Sequence, residues 1–225
     1  MLSFICFQTQ YRFSEEIARF PSNEFYEGRL RTGQSREPEI ASALVPGSFP
    51  WPYDNGRLVP VVFVQCSSEE DFGRSSKSNA GQVSLVTHIL SLLRTPRPSG
   101  EGFVNTATQE DLSKFSIAIL TPYSRQVKAF KDSIPSPNNT VMSTIDGFQG
   151  REGDIVIFST VRCNAEGDIG FVEDAKRLNV AWTRPKLALI IVGDRRTLTT
   201  KNALWSRALQ HCTDVVITLP EEPVR

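Results

Sequence analysis

The chain has 225 residues, 40% of them hydrophobic and 22% charged, which is enough to build one α/β domain with a full core. Lysine plus arginine equals aspartate plus glutamate at 25 each, so bulk charge makes no case for a nucleic-acid binder, although a local basic groove remains compatible with it. The four cysteines, Cys6, Cys66, Cys163 and Cys212, form no CxxC pair, which argues against a zinc site and a secreted disulfide framework. No apolar run approaches the length of a membrane span. A cytoplasmic or nuclear location is the expectation, since MLSFICFQTQYR lacks the basic start of a signal peptide.

Taken in order, Met1 to Phe7 reads as a strand, followed by Gln10-Tyr11-Arg12. Ser14, with Glu15 and Glu16 behind it, opens a helix that Pro21 is expected to end. Residues 32–58 are rich in Gly, Pro and Ser with little periodicity, and read as a surface excursion. PVVFVQC, Pro60 to Cys66, is a strand. Ser67 to Ser78 is polar and expected to be flexible. Apolar residues at Val83, Val86, Ile89, Leu90 and Leu93 predict a helix from Ala80, with Asn79 as its N-cap. Residues 95–111 form a second loop excursion.

KFSIAILTP, Lys114 to Pro122, predicts a strand. Tyr123 to Ser133 predicts an amphipathic helix with Arg125, Lys128 and Lys131 on its polar side, as a solvated face or a phosphate-facing stripe. Then comes VMSTIDGFQGREGDIVIFSTVR, Val141 to Arg162. Two apolar runs flank a loop in which Gly147 and Gly150 permit close backbone approach to a ligand, and Gln149, Arg151, Glu152 and Asp154 offer polar groups. Asp174 caps a helix through AKRLNVAWTR, stopped by Pro185. LALIIV is a fully apolar strand, a last helix starts at Asp194 or Thr197 and runs through Trp205 to Leu209, Val215 to Thr218 is a final strand, and residues 220–225 are a tail. Alternating strands and helices with apolar strands predict a mostly parallel sheet covered on both faces, in one domain over 1–219. The residues singled out are expected at the carboxyl ends of those strands or on the helices they feed.

TIDGFQGREGDIVIFSTVR resembles motif V of superfamily 1 helicases, in particular the Upf1/Sen1-like branch, the DNA2/NAM7 helicase group. GFVEDAKRLNVAWTRPK resembles motif VI of the same family, GFLNDxRRLNVALTRAK. QYR with FPSNEFYEGRL resembles its QYRM…FPSxxFYxGxL signature, and ILTPYSRQ its motif IV region. The resemblance covers nearly the whole chain. It implies a RecA-like fold of the P-loop NTPase type, namely the second, C-terminal RecA-like domain of such a helicase. In a complete enzyme this domain would serve ATP- and Mg²⁺-dependent translocation on single-stranded RNA or DNA, facing a first RecA-like domain in cis or in trans.

The resemblance also assigns roles. Arg184 and Arg12 would be arginine fingers, because a planar, permanently charged guanidinium stabilises charge on transferring phosphoryl oxygens. Glu152 would contact the ribose, Tyr11 would stack on the base or lie beside the nucleotide, and Gln10, Gly150 and Arg177 would border the same cleft. As residues alone, Tyr11 reads equally well as a core tyrosine and Glu152 as a solvated loop acid. Thr121, Pro122, Tyr123, Ser143 and Thr144 would line the nucleic-acid track. Arg177 and Arg184 are seven apart and would share a helix face if the helix is continuous.

The chain departs from the family in three ways. Asn79-Ala80-Gly81-Gln82 has an amide where the family often has glutamate, and Thr183-Arg184-Pro185 has proline where the family has alanine. No GxxxxGK[ST] loop and no apolar strand followed by Asp-Glu occurs, so the chain alone is expected to bind no ATP or Mg²⁺, to have no metal site and to be inactive. Asp194, after IIVG, is expected to end an ordinary core strand. A non-catalytic, nucleic-acid- or protein-binding remnant is the alternative, and a truncated gene model a third reading.

Overall fold

A computed structural model describes residues 8–71, 73, 76–99, 105–134 and 139–220. In chain order the elements are β1 (Thr9–Gln10), α1 (Glu15–Phe25), β2 (Arg31–Thr32), α2 (Glu37–Leu44), β3 (Tyr53–Asp54), β4 (Arg57–Leu58), β5 (Val61–Gln65), α3 (Ala80–Arg94) and α4 (Gln109–Ser113). They continue with β6 (Ile117–Thr121), α5 (Ser124–Ser133), β7 (Thr140–Thr144), β8 (Gly153–Ser159), α6 (Ala175–Trp182), β9 (Pro185–Gly193), α7 (Arg195–Thr200), α8 (Ala203–Gln210) and β10 (Thr213–Val215). Two short 3₁₀ turns, Asp146–Phe148 and Gly170–Glu173, follow β7 and precede α6.

Six strands form one parallel sheet in the order β10-β5-β9-β8-β6-β7. Side chains alternate across it. Val61, Phe63, Leu120, Val156, Phe158, Leu189 and Ile191 meet α1, α6 and α8 on one face. Val62, Val64, Ile119, Ile155, Ile157, Ile190 and Val192 meet α2, α3 and α5 on the other. Each such side chain taken from water contributes about 1.5–3 kcal/mol, which explains why the strand runs are apolar on both parities. The expected α/β, RecA-like architecture of parallel strands with helices on both faces is what the chain forms.

Several local expectations need correction. Residues 32–58 are not simply a surface excursion: α2 packs Ile40, Ala43 and Leu44 on the sheet, and Phe49 and Trp51 are buried behind it. Pro21 does not end α1, which runs on to Phe25. The last predicted helix is two helices, because Asn202 accepts a hydrogen bond from the backbone of Trp205 and starts α8 afresh. The final strand lies slightly earlier, at Thr213–Val215. In the polar stretch after β5, Glu70 and Asp71 are tied down: the Glu70 carboxylate pairs with the Arg162 guanidinium at 2.8 Å, and Asp71 accepts from Ser78 Oγ at 2.8 Å. The strand expected over Met1 to Phe7, part of the 95–111 excursion and most of the 220–225 tail lie outside the described residues.

The crevice between the carboxyl ends of β6 and β8, where connections leave in opposite directions, is the usual ligand position in such sheets. Here the protein fills it with its own polar groups. Gln126 on α5 accepts from the backbone of Asn79 at 2.8 Å, and Gln82 accepts from Ser159 Oγ at 2.8 Å and from the Val161 backbone at 2.9 Å. Val161 is buried and left-handed, with φ +69°, a conformation that costs a β-branched residue free energy. It is held there by Gln82 and by Asn79, which donates to its carbonyl at 2.9 Å. Because Gln82 has an amide, its Nε2 is buried without a hydrogen-bond partner. Asp194 ends β9 and caps α7, accepting from the Thr197 backbone at 2.7 Å.

Candidate functional site

The QYR segment is shaped by Gln10. Its Oε1 accepts from the backbones of Arg12 at 2.8 Å and Phe13 at 3.0 Å, and its Nε2 donates to Phe13 O at 2.7 Å and Thr32 Oγ1 at 2.8 Å. Both ends of the amide are spent on the turn, so Gln10 positions its neighbours. Tyr11 is 63% exposed and therefore not a core tyrosine. Its ring lies against Gly33, where a Cβ would come within 2.2 Å of Cε1, so only glycine admits the ring in this position.

Arg12 reaches residues far along the sequence. Its Nε donates to Glu152 Oε2 at 2.9 Å and its Nη1 to the Thr183 carbonyl at 3.1 Å. Arg184 donates through Nε to the Val180 carbonyl at 3.1 Å, through Nη1 to the Arg151 carbonyl at 3.3 Å, and through Nη2 to Thr183 Oγ1 at 3.3 Å. The last carbonyls of α6, at the negative end of its dipole, thus hold two guanidinium groups. Arg12, Glu152 and Arg184, far apart in sequence, come together in one cluster.

Glu152 is shared. Lys186 Nζ lies 2.9 Å from Oε1 while Arg12 takes Oε2, and Lys186 first, then Arg12, holds the carboxyl below its ordinary range against the opposing effect of burial. Glu152 is therefore an engaged acid, not a loose solvated one. Burial, and then the adjacent Arg12 charge, lower the Arg184 guanidinium from its usual value. Three cations face a single carboxylate here, and that excess of positive charge suits an anion. Lys186 escaped the sequence reading although it closes the TRPK motif; its signal was its place two residues beyond Arg184.

The cluster does not lie where the strand-end expectation put it. Glu152 immediately precedes β8 and Arg184 immediately precedes β9, so both sit at the amino ends of parallel strands. Residues 145–152 carry the chain back from the carboxyl end of β7, and α6 makes the same return before β9. Pro185 opens β9 as its first residue, a position where a missing amide proton is tolerated. Arg184 sits in the link before it, because α6 ends at Trp182.

The helix end also separates Arg177 from Arg184. Arg177 is bidentate on Asp146, at 3.2 and 3.1 Å, lies 3.7 Å from Asp174, and sits over the Phe171 ring at 5.4 Å. Its contacts are with Asp146, beyond the carboxyl end of β7, and not with the Arg12–Glu152–Arg184 cluster. Gly150 is left-handed, φ +79°, and exposed, with open space around it.

The five track residues divide. Thr121 is fully buried and Tyr123 is 3% exposed, its hydroxyl 3.4 Å from Arg162 Nη1, so these two side chains face inward and do not line a surface. Strand β6 is flanked by β7 and β8, and Tyr123 turns into the core on the α1, α6 and α8 face of the sheet. Pro122, Ser143 and Thr144 are half-buried at the carboxyl ends of β6 and β7, and Thr144 Oγ1 accepts from the Gly147 backbone at 3.1 Å. On α5, Arg125 pairs with Asp71 at 2.7 Å, while Lys128 and Lys131 are exposed. Among the described residues no cluster of His, Cys, Asp and Glu could hold a metal, and no helix is long and apolar enough to cross a membrane.

Comparison with known proteins bears on these motifs. A family model described as AAA domain (AAA_12) matches residues 2–196. The probable helicase MAGATAMA 3 of Arabidopsis thaliana is 34% identical over 213 residues, which are 90% of this chain and 24% of that protein. The ATP-dependent helicase NAM7 of Saccharomyces cerevisiae is 33% identical over 91% of this chain and 20% of its own length. The ATP-dependent helicase upf1 of Schizosaccharomyces pombe is 33% identical over 91% of this chain and 21% of its own length. The chain thus spans a quarter or less of these curated relatives. A solved structure titled as the C-terminal domain of a possible DNA helicase from Lactobacillus plantarum WCFS1 covers 91% of this chain and 98% of its own, at TM-score 0.48 and 13% identity. With the family model matching most of its length, the chain belongs to the AAA-domain family, as a C-terminal helicase domain of the Upf1/NAM7-like superfamily 1 helicases.

Proposed function

We propose that this chain supplies the second half of a split ATP site in a superfamily 1 helicase. Arg12 and Arg184 are its arginine fingers, Glu152 its ribose contact and the exposed Tyr11 ring its surface for the base. The observation that carries this reading is the meeting of three cations, Arg12, Arg184 and Lys186, with one carboxylate at the carbonyl end of α6. A site with surplus positive charge and two pre-positioned guanidinium groups fits polyphosphate held by another domain. ATP would supply the scissile phosphoanhydride, and Mg²⁺ and the phosphate cradle belong to a first RecA-like domain. This chain's residues orient and neutralise. Arg12 must exchange part of its hold on Glu152 for phosphate oxygen, and Lys186 keeps the carboxylate charged while it does so. Pro122, Ser143 and Thr144 remain the candidates for contact with single-stranded RNA or DNA, Arg177 lies on that side too, and opening and closing between the two domains would couple hydrolysis to movement.

The test is reconstitution with a P-loop-bearing first domain from a relative. The mixture should hydrolyse ATP in the presence of single strands, and this chain alone should not. Arg184→Lys should lower turnover by about a hundredfold or more, since one ammonium cannot replace the planar fork. Turnover by the isolated chain, or an unaffected Arg184→Lys mixture, defeats the reading.

A further inference from the structure

We infer that Phe171 is a stacking platform for one nucleobase of a bound single strand, a role that rests on the nucleic-acid reading above. Among the described residues, Phe171 is the phenylalanine left exposed, at 53%, in a chain that buries Phe13, Phe20, Phe49, Phe63, Phe130, Phe148 and Phe158 almost completely. Its backbone is fixed. It lies in the 3₁₀ turn Gly170–Glu173, and the next residue, Val172, is buried with its carbonyl accepting from the Trp205 indole at 2.8 Å. An aromatic ring on an anchored turn loses little further freedom on binding.

The surroundings specify the ligand. Arg177 lies over the ring at 5.4 Å, and Tyr123 meets it at 5.7 Å with the planes tilted by 50°. Arg177 is itself bound to Asp146, two residues beyond Thr144. Through Arg177 and Asp146 the ring is linked to the carboxyl end of β7, where Ser143 and Thr144 are half-buried. Hydroxyls suited to a phosphate or sugar, an exposed aromatic face and a guanidinium plane form the combination that holds a strand by its backbone and stacks one base. Asp146 and Asp174 more than offset the charge of Arg177, so the platform offers stacking and no net positive charge. Stacking uses the face that every base has, so the platform is expected to tolerate any base.

The experiment is fluorescence anisotropy of labelled oligo(U) and oligo(dT), titrated with the full chain at several salt concentrations. Variants are Phe171→Leu, which keeps apolar bulk, and Phe171→Trp, which enlarges the ring. Phe171→Leu should weaken both oligonucleotides about tenfold with the salt slope unchanged, and Phe171→Trp should bind at least as tightly as the native chain. Near-equal melting temperatures of the variants would exclude a packing effect. Binding by the native chain that Phe171→Leu leaves within twofold overturns the platform alone. Absence of binding by the native chain overturns the nucleic-acid reading and the platform with it.

Discussion

The Trp182 indole donates to the Ile17 carbonyl at 3.0 Å, the very carbonyl that Pro21 leaves empty in the middle of α1. In an unbroken helix the amide four residues on would serve Ile17, and proline has none. The indole comes from α6, where NVAWTR replaces the family's NVALTR, so one substitution on α6 repairs a defect on α1. Trp182→Phe should destabilise the chain by roughly 2–4 kcal/mol through the smaller ring and the orphaned carbonyl. Pro21→Ala should recover about 1 kcal/mol in that background and less in the native one. Urea unfolding of the four proteins measures the coupling, and strictly additive effects would refute the repair.

Asn79 shows how a cap can do more than cap. Its Oδ1 accepts from Gln82 N at 2.9 Å, while Nδ2 donates to Ser68 O at 2.6 Å and to Val161 O at 2.9 Å. Aspartate caps a helix as well as asparagine does, but it cannot donate. Asn79→Asp should therefore cost roughly 1–3 kcal/mol, close to Asn79→Ala, because both leave the buried Val161 carbonyl unpaired. Chemical denaturation decides it; an aspartate variant as stable as the native chain would mean that this carbonyl finds another partner.

Val161 predicts an inequality. Its left-handed backbone is a cost that glycine would remove, whereas Val156 lies in regular strand with no such strain. Val161→Gly should destabilise the chain less than Val156→Gly, by about 1–3 kcal/mol, although both side chains are fully buried. Equal losses would show that the strain is not stored at Val161.

What could be read in advance follows from range of interaction. The apolar runs of β5, β6, β8 and β9 announced themselves because burial on both faces leaves no room for polar residues. Motifs V and VI placed Glu152 and Arg184 on the list and the QYR signature placed Arg12 there, and the structure brings these three together. Pro21 was misread because its rescue comes from Trp182, 161 positions away. Phe49 and Trp51 stand among prolines with no helical or strand period, so nothing local marks them as core. Arg177 and Arg184 have different partners because α6 ends at Trp182, two residues short of what the seven-residue spacing assumed. Lys186 had a place in the TRPK motif as its one signal, and the partner that gives it a role, Glu152, meets it only in three dimensions.

The last prediction concerns Glu152. Its folded carboxyl lies below the ordinary 4.5, so its contribution to stability is present above that value and lost as pH falls through the lowered one. At 42% side-chain exposure the contribution is modest, and the informative quantity is the titration itself. The hydrogen bond from Lys186 is the largest cause, so Lys186→Met should raise the Glu152 midpoint more than Arg12→Met does. Both can be followed by NMR of the side-chain carboxyl. Inorganic tripolyphosphate should also raise the midpoint in the native chain, because an anion that draws Arg12 away removes one of the two bonds that keep the acid charged. In Arg12→Met that added rise should shrink. A midpoint indifferent to tripolyphosphate would mean that the three cations do not act on a phosphate chain, and the reading of this cluster as half of a nucleotide site would fail with it.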